Sequence, residues 1–388
     1  MSNKIIYSAF RTDLTDIFGI KHPIMLAGMN VASGPELAAA VCNAGGLGVI
    51  GGLNYSPKML RTMIQDLKSK LINKNSPFGV DLLLPKIGDG ARKTNYDYTK
   101  GQLDELIDII IEEKARLFVS AIGVPSKHTV KALHTAGIMV MNMIGSPKHV
   151  QGALNAGVDI ICAQGGEGGG HTGDIGTMVL IPAVVNAVAG HLSPLTGRQI
   201  QVIAAGGIYD GRTLIAALSM GASGVWVGTR FIASVESSAP KAHKDAVLST
   251  THDQTMKTLV YTGRPLRIAY HQYAHDWETL RKSKMDRLLA EGTPPVEYDQ
   301  KNMETGNFEK DDLDFLIRYQ GKPKPYPHLL GQVAGSIDKI ETAADIINNM
   351  IIEAIMIVNH LSEINTFKLP SINPDMDTDD VPRVRSKL

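Results

Sequence analysis

Short apolar runs and amphipathic segments alternate along the first part of the chain. The apolar runs, typical of buried strands, begin near Ile24, Leu47, Gly79, Leu117, Ile138, Asp159, Gln201 and Gly224. Segments with helical spacing lie between them: Glu36 to Ala44, Pro57 to Leu71, Gln102 to Lys114, Ser126 to Ala136, Pro147 to Ala156, Met178 to Ala189 and Gly211 to Met220. Continuous apolar strands followed by helices predict parallel βα units whose strands are covered on both faces.

The number of these units favours a closed barrel over an open sheet. Eight strand candidates, each helix being followed promptly by a strand, predict an α/β fold of the TIM-type (β/α)8 class. A doubly wound open sheet is the alternative that the same alternation allows. In a (β/α)8 barrel the loops after the carboxyl ends of the strands carry the function, so those loops are the place to look for chemistry.

The alternation of strand and helix patterns stops after Arg230. Together with the polar C-terminal segment, this break divides the chain into three parts. We expect the barrel in residues 1–235 and a smaller, mostly helical region in residues 236–365 that covers the barrel mouth. Residues 366–388 form a polar tail that ends in Ser386, Lys387 and Leu388. This tripeptide is the type of C-terminal signal that a peroxisomal import receptor binds. We therefore expect a peroxisomal protein, or a cytoplasmic one if the signal is not used.

Composition narrows the classes of partner. The 39 basic and 39 acidic residues balance, so no overall charge favours nucleic acid or an anionic membrane. The chain has no run of eighteen apolar residues and no secretory signal, which predicts a soluble intracellular protein. Cys42 and Cys162 lie far apart in apolar surroundings, as buried thiols do. His271 and His275 have the spacing of a metal pair on one helix, but their aromatic neighbours favour packing, and no metal site is expected.

A glycine-rich loop after the sixth strand candidate is the strongest chemical signal. It runs from Gln164 to Gly173 and contains a single histidine, His171. Glycines let a ligand approach backbone N–H groups, and an imidazole exchanges protons near neutral pH, so His171 is a candidate general base. A flexible turn with a solvated histidine is the alternative. Glu167 could orient His171, although an acidic residue in such a loop more often accepts hydrogen bonds from backbone donors.

Paired glycines follow the last two strand candidates. Gly206 and Gly207 come after the seventh, and Gly228 with Thr229 comes after the eighth. Barrels commonly bind phosphate at this position, with backbone N–H groups from these two loops. The pattern predicts a phosphate ester as ligand, and tight turns that need glycine for geometry alone are the alternative.

Several of these motifs together resemble the nitronate monooxygenases, also called 2-nitropropane dioxygenases. The similar segments are PIMLAGM, PFGVDLLLP, QGGEGGGHTG, AAGGI and GVWVGTRF, and the similarity extends to the segments Tyr261–Pro265 and Leu330–Gly335. The resemblance implies FMN as cofactor, His171 as catalytic base and dioxygen as oxidant. The substrates would be alkyl nitronates, with nitroalkanes or propionate 3-nitronate as further candidates, and the products carbonyl compounds and nitrite.

The same resemblance implies the residues that hold FMN. Its phosphate would lie on Gly206, Gly207, Gly228 and Thr229, and its ring near Gly28, Met29, Asp81, Gln164 and Gly169. Gly170, Trp226 and Val227 complete the expected cofactor site. We also expect a homodimer.

Two positions depart from the pattern of that family. The family often has Asn where this chain has Asp81, and an Arg where this chain has Thr172 beside the base. A carboxylate near the flavin would disfavour the anionic reduced ring unless it is protonated or paired. Two alternatives therefore stay open, an NAD(P)H-dependent flavin reductase of the enoyl-thioester type and a phosphate- or flavin-binding barrel without redox activity.

Overall fold

A computed structural model describes residues 8–307, 309–319 and 326–365. Its strands are β1 (Ile24–Leu26), β2 (Gly48–Gly51), β3 (Phe78–Leu83), β4 (Leu117–Ala121), β5 (Met139–Ile144), β6 (Ile160–Gln164), β7 (Gly170–His171), β8 (Gln201–Ala205), β9 (Gly224–Val227), β10 (Thr255–Thr258) and β11 (Leu266–Ala269). Eight of them form one parallel sheet in the order β1-β9-β8-β6-β5-β4-β3-β2, and a parallel bridge between Met25 and Leu47 joins its two edges. The predicted (β/α)8 barrel is confirmed.

The helices alternate with these strands as the spacing predicts. They are α1 (Asp13–Phe18), α2 (Pro35–Asn43), α3 (Pro57–Lys70), α4 (Leu103–Glu112), α5 (Lys127–Thr135), α6 (Val150–Ala156), α7 (Thr177–Val188), α8 (Gly211–Ser219), α9 (Thr229–Ile232), α10 (Lys241–Ser249), α11 (Gln272–Thr279), α12 (Lys282–Glu291), α13 (Pro295–Thr305), α14 (Lys310–Arg318) and α15 (Ala343–Ile364). Helix α6 is preceded by a 3-10 turn, Pro147–His149, and a second 3-10 turn spans Gln332–Ser336.

Helix α1, which the hydrophobic pattern does not predict, closes the bottom of the barrel. Its Leu14 and Phe18 belong to the apolar cluster inside the sheet, together with Met25 and Leu117 from the strands. Gly224 makes room for this plug, because a methyl group there would lie 2.4 Å from Leu14 Cδ2. The lower half of the barrel interior is therefore filled with side chains.

Helix α15 completes the outer ring of helices from the far end of the described chain. It packs against α8 and α2, and Ile347, Ile351 and Ala354 are buried there. Among the described residues, α15 is also the helix that is long and apolar enough to span a membrane by length and composition alone. Since core helices of soluble proteins pass the same test, this is weak evidence for a membrane span.

The region between α9 and α15 has its own apolar cluster, which contains Trp277 and Phe315. It is mostly helical, as expected, but it also contains the hairpin of β10 and β11, which the sequence does not predict. Strand β11 pairs antiparallel with β7, so this region is joined directly to the glycine-rich loop after β6. The polar tail with Ser386, Lys387 and Leu388 lies outside the described residues.

Candidate active site at the carboxyl end of the barrel

The glycine-rich loop is held in place rather than being a free turn. Its residues Gly170 and His171 pair with Arg267 and Leu266 of β11. Gln164 Nε2 donates to the carbonyl oxygen of His171 at 2.8 Å. These contacts fix the backbone on both sides of the histidine, which is a requirement for a side chain that must be positioned for catalysis.

Further support for this loop comes from Arg267 and from close backbone packing. The Arg267 guanidinium donates from Nε and Nη2 to the carbonyl oxygen of Gly166, at 3.0 and 2.8 Å. At Gly169 a methyl group would lie 2.5 Å from the carbonyl carbon of Leu330. The absence of a side chain at Gly169 therefore lets the segment around Leu330 pack directly on the loop.

The His171 imidazole is partly buried and neutral at physiological pH. Burial lowers its pKa to about 4, and the positive charge of Arg264 contributes to the shift. His171 Nε2 lies 3.0 Å from Thr262 Oγ1, while Nδ1 has no hydrogen-bond partner among the described residues. If Nε2 carries the proton and donates it to Thr262, the lone pair on Nδ1 can accept a proton from a substrate.

Arg264 is near enough to His171 for its positive charge to lower the pKa of the imidazole. Its Nε and Nη2 donate to Asn95 Oδ1 at 3.0 and 2.8 Å, and within the described ranges it forms no ion pair with a carboxylate. Burial lowers the pKa of Arg264, and the charge of Arg92 adds to that effect. An unpaired, half-buried guanidinium is a good receptor for a planar anion. The sequence predicts none of Thr262, Arg264 or Asn95 as site residues.

Glu167 has a structural contact that explains its position. Its carboxylate accepts hydrogen bonds from the backbone N–H of Thr177, at 3.0 and 3.1 Å, and from Thr177 Oγ1 at 2.8 Å. Thr177 is the first residue of α7, so Glu167 accepts hydrogen bonds from a backbone N–H that has no partner within the helix. The expectation that Glu167 contacts backbone donors is confirmed.

Asp81 lies inside the barrel near its carboxyl end and is almost completely buried. Its Oδ1 has no hydrogen-bond partner among the described residues, and burial raises the pKa of the carboxyl group well above its usual range. A methyl group at Gly28 would lie 2.4 Å from Asp81 Cβ, so glycine is needed there. Burial thus disfavours the charged form of Asp81, and in its protonated form the carboxyl group offers one donor and one acceptor, as an asparagine amide does.

The two glycine pairs have the geometry of a backbone cradle. Gly206 and Gly207 have φ values of +88° and +74°, in the left-handed region that favours glycine. The N–H groups of Gly207 and Gly228 donate to no acceptor in the part of the chain that the structure describes. Thr229 Oγ1 accepts from the N–H of Gly331 at 2.9 Å. Free N–H groups in two adjacent loops could hold a phosphate, and this predicted role stays a prediction.

The remaining predicted cofactor residues surround the same end of the barrel. Trp226 is buried in the interior cluster, and Met29 packs against it. A methyl group at Gly228 would be 3.5 Å from Met29 Sδ, so the loops that follow β1 and β9 lie next to each other. Val227 packs outward between the sheet and the helices, which leaves only its backbone to face a ligand. The structure thus brings the predicted residues together, and their cofactor roles stay predictions.

Comparison with known proteins identifies the family. Residues 11–353 match the model of the family described as nitronate monooxygenase. The chain belongs to this family. It is 32% identical to a probable nitronate monooxygenase of Staphylococcus saprophyticus, over 68% of this chain and 80% of the relative. It is 30% identical to (3aS,4S,5R,7aS)-5-hydroxy-7a-methyl-1-oxo-octahydro-1H-indene-4-carboxyl-CoA dehydrogenase of Rhodococcus jostii, over 91% of this chain and 98% of the relative.

A solved structure is also similar to this chain. FabK from Thermotoga maritima superposes with a TM-score of 0.71 and 32% identity, over 92% of this chain and 99% of FabK. These similarities make the chain a flavin-dependent oxidoreductase. They do not support the alternative of a barrel without redox activity.

Proposed function

We propose that this protein is an FMN-dependent monooxygenase that oxidises alkyl nitronates with dioxygen to carbonyl compounds and nitrite. One observation carries the proposal: a neutral imidazole, His171, lies beside the guanidinium of Arg264, which has no carboxylate partner among the described residues. A nitroalkane loses a proton to become a planar anion with two negatively charged oxygens. The base suits the proton transfer, and the guanidinium suits the anion.

The residues at the barrel mouth fit FMN. The backbone cradle of Gly206, Gly207, Gly228 and Thr229 would hold its phosphate. Around the ring would lie Gly28, Met29, Asp81, Gln164, Gly169, Gly170, Trp226 and the backbone of Val227. The fit is supported by the left-handed backbone of Gly206 and Gly207 and by the N–H groups of Gly207 and Gly228, which donate to no acceptor among the described residues. When bound, FMN supplies electron transfer and the reaction with dioxygen, which no side chain can provide.

The chain's own residues perform the proton transfer and the orientation. His171 Nδ1 accepts the α-proton of a neutral nitroalkane while Nε2–H donates to Thr262, which fixes the tautomer. Arg264 binds the oxygens of the resulting nitronate and neutralises its charge. A nitronate that is already ionised binds directly to Arg264 and needs no base.

Product analysis under air tests the proposal. The purified holoenzyme is mixed with preformed nitronates of different chain length, propionate 3-nitronate included, and nitrite, carbonyl product and oxygen uptake are measured. Formation of nitrite and carbonyl compound in equal amounts, with oxygen consumed, is the expected result. Absence of nitrite from every nitronate tested would contradict the proposal.

A second candidate function is oxidation or reduction of a coenzyme A thioester, for which NAD(P)H would be the donor in the reductive direction. The observation that favours it is the similarity to the carboxyl-CoA dehydrogenase, which spans nearly the whole chain, whereas the nitronate monooxygenase relative matches 68%. Oxidation of NADPH in the presence of an enoyl-CoA, without activity on nitronates, would select this function.

We also propose peroxisomal import through Ser386, Lys387 and Leu388, and assembly as a homodimer. A fluorescent protein fused to the N-terminus, which leaves the C-terminus free, is expected to enter peroxisomes. Deletion of Leu388 is expected to leave the fusion in the cytosol, and unchanged import would contradict this proposal. Mass measurement by light scattering tests the homodimer.

A further inference from the structure

Asn95 holds the guanidinium of Arg264 with a neutral oxygen. Asn95 lies in the loop between β3 and α4 and Arg264 between β10 and β11, so a contact across 169 residues of sequence joins them. Asn95 Oδ1 accepts from Arg264 Nε at 3.0 Å and from Nη2 at 2.8 Å. Because an amide oxygen satisfies these donors without carrying a formal charge, the positive charge of Arg264 is left for a ligand.

A second contact fixes the orientation of the Asn95 amide. Asn95 Nδ2 donates to the carbonyl oxygen of Lys86 at 2.8 Å. A flipped amide would turn its NH2 group toward the N–H groups of Arg264 and lose both contacts, so the oxygen must face the guanidinium. The backbone N–H of Asn95 donates to the carbonyl oxygen of Arg92 at 3.0 Å, which closes a turn of the same loop. Asn95 is therefore held firmly enough to position Arg264 in turn.

The remaining donors of Arg264 are available to a ligand. Nη1 makes no hydrogen bond or ion pair with any residue that the structure describes, and the side chain is half-buried. Burial lowers the pKa of Arg264, and the positive charge of Arg92 adds to that effect. An anion bound at Nη1 would therefore be attracted by both arginines and partly shielded from water, which strengthens the electrostatic interaction.

We infer that Asn95 is a positioning residue that sets the preference of this site for anions, because it orients Arg264 without neutralising it. The inference deepens the proposed function and rests on it, since Arg264 is taken there as the receptor of the nitronate. A carboxylate in place of the amide would have nearly the same shape and would accept from the same two donors, but it would neutralise the guanidinium. The isosteric change to aspartate should therefore weaken anion binding more than removal of the side chain does.

Calorimetric titration of the purified holoenzyme with nitrate tests the inference, because nitrate is a planar anion like a nitronate and requires no turnover. At constant ionic strength, the dissociation constant should rise by roughly tenfold in Asn95→Asp, the size of one charge-assisted hydrogen bond, and by less in Asn95→Ala. Both variants lose the bond to Lys86, so a role confined to loop structure predicts an equal or greater loss in Asn95→Ala. Either of those results, or a parent protein that binds no nitrate, would overturn the inference.

A double-mutant cycle shows whether Asn95 acts through Arg264. Added to Arg264→Met, Asn95→Asp should cause no further loss of nitrate affinity, and a loss as large as in the parent would contradict the inference. Asn155→Asp makes the same chemical change at an exposed asparagine of α6, and Arg116→Met removes an exposed arginine before β4 at the opposite end of the barrel. Both controls should bind nitrate as the parent does. If this pattern holds while nitronates are not oxidised, only the proposed function is contradicted.

Discussion

The two ends of the barrel interior are built from different kinds of residue. At the amino ends of the strands, Leu117, Met139 and Ile160 pack on Leu14 of helix α1, and all four are at most 4% exposed. At the carboxyl ends, Asp81 is fully buried and His171 is partly buried, and neither forms an ion pair among the described residues. The lower half therefore stabilises the fold, while the upper half keeps polar groups available for a ligand at a cost in stability.

The largest expected effect is on proton transfer at the upper end. Replacing His171 with Asn removes the base and keeps the pairing of β7 with β11. Turnover of a neutral nitroalkane should fall by about 10²- to 10⁴-fold, the usual contribution of a general base. Preformed nitronates should keep most of their rate, because they need no deprotonation. Steady-state kinetics on both substrates check this, and equal loss on both would reject His171 as the base.

Leu14→Ala probes the lower end. Since Leu14 is fully buried in the plug, its truncation should lower the free energy of unfolding by about 2–5 kcal/mol. Activity per bound flavin should be unchanged, because Leu14 lies away from the mouth. Urea denaturation measures the loss. Leu192→Ala, at a leucine that is 62% exposed, serves as control and should change stability by less than about 0.5 kcal/mol. A kinetic defect in folded Leu14→Ala would show that the two ends are coupled.

Arg264→Met tests the charge that accompanies the base. We expect the KM for an anionic nitronate to rise by roughly tenfold, since one charge-assisted contact is lost. The pKa of His171 should rise as well but stay below its usual value, because burial is the larger cause of the shift. The pH dependence of kcat/KM for a neutral nitroalkane follows this change. Arg116→Met is the matched control, and an unaltered KM in Arg264→Met would remove Arg264 from the anion site.

Asp81→Asn should have the smallest effect of these variants, a change in how the free energy of unfolding depends on pH. Burial raises the folded-state pKa of Asp81, so this group favours the fold at pH values below the unfolded pKa, near 4. That contribution is lost as pH rises toward the folded pKa, because the unfolded chain ionises first. The neutral Asn variant should retain flavin and show a weaker fall in stability between pH 5 and pH 8 than the parent. Urea denaturation measures the free energy of unfolding of both proteins at pH 5 and pH 8. An equal fall in the two proteins would contradict a raised pKa for Asp81.

The sequence predicts those parts of the fold that local pattern determines. The barrel strands are short, mainly apolar runs, and glycines such as Gly157, with a φ of +90°, end helices just before the next strand. Helix α1 has only six residues, and β7 has two, so neither is long enough for its hydrophobic period to repeat several times. Strand β7 exists because β11 pairs with it, and that pairing is a long-range contact.

For the candidate site, too, the local sequence does not predict long-range contacts. The glycine-rich loop and the paired glycines are visible in the sequence because their composition is unusual. Thr262 contacts His171 although it lies 91 residues further along the chain, and nothing in its local sequence indicates this. The raised pKa of Asp81 follows from complete burial, which is a property of the closed barrel rather than of the motif around it. Residue types can therefore be predicted, whereas partners and charge states depend on the folded chain.

Anaerobic reduction of the bound flavin tests the central claim most directly. The holoenzyme is mixed under argon with a preformed nitronate, and separately with NADPH, while the flavin absorbance is followed in a stopped-flow instrument. We predict rapid bleaching by the nitronate, slowed in Arg264→Met, and little or none by NADPH. Bleaching by NADPH alone, with the nitronate inert, would contradict the assignment of the mouth of this barrel to nitronate oxidation.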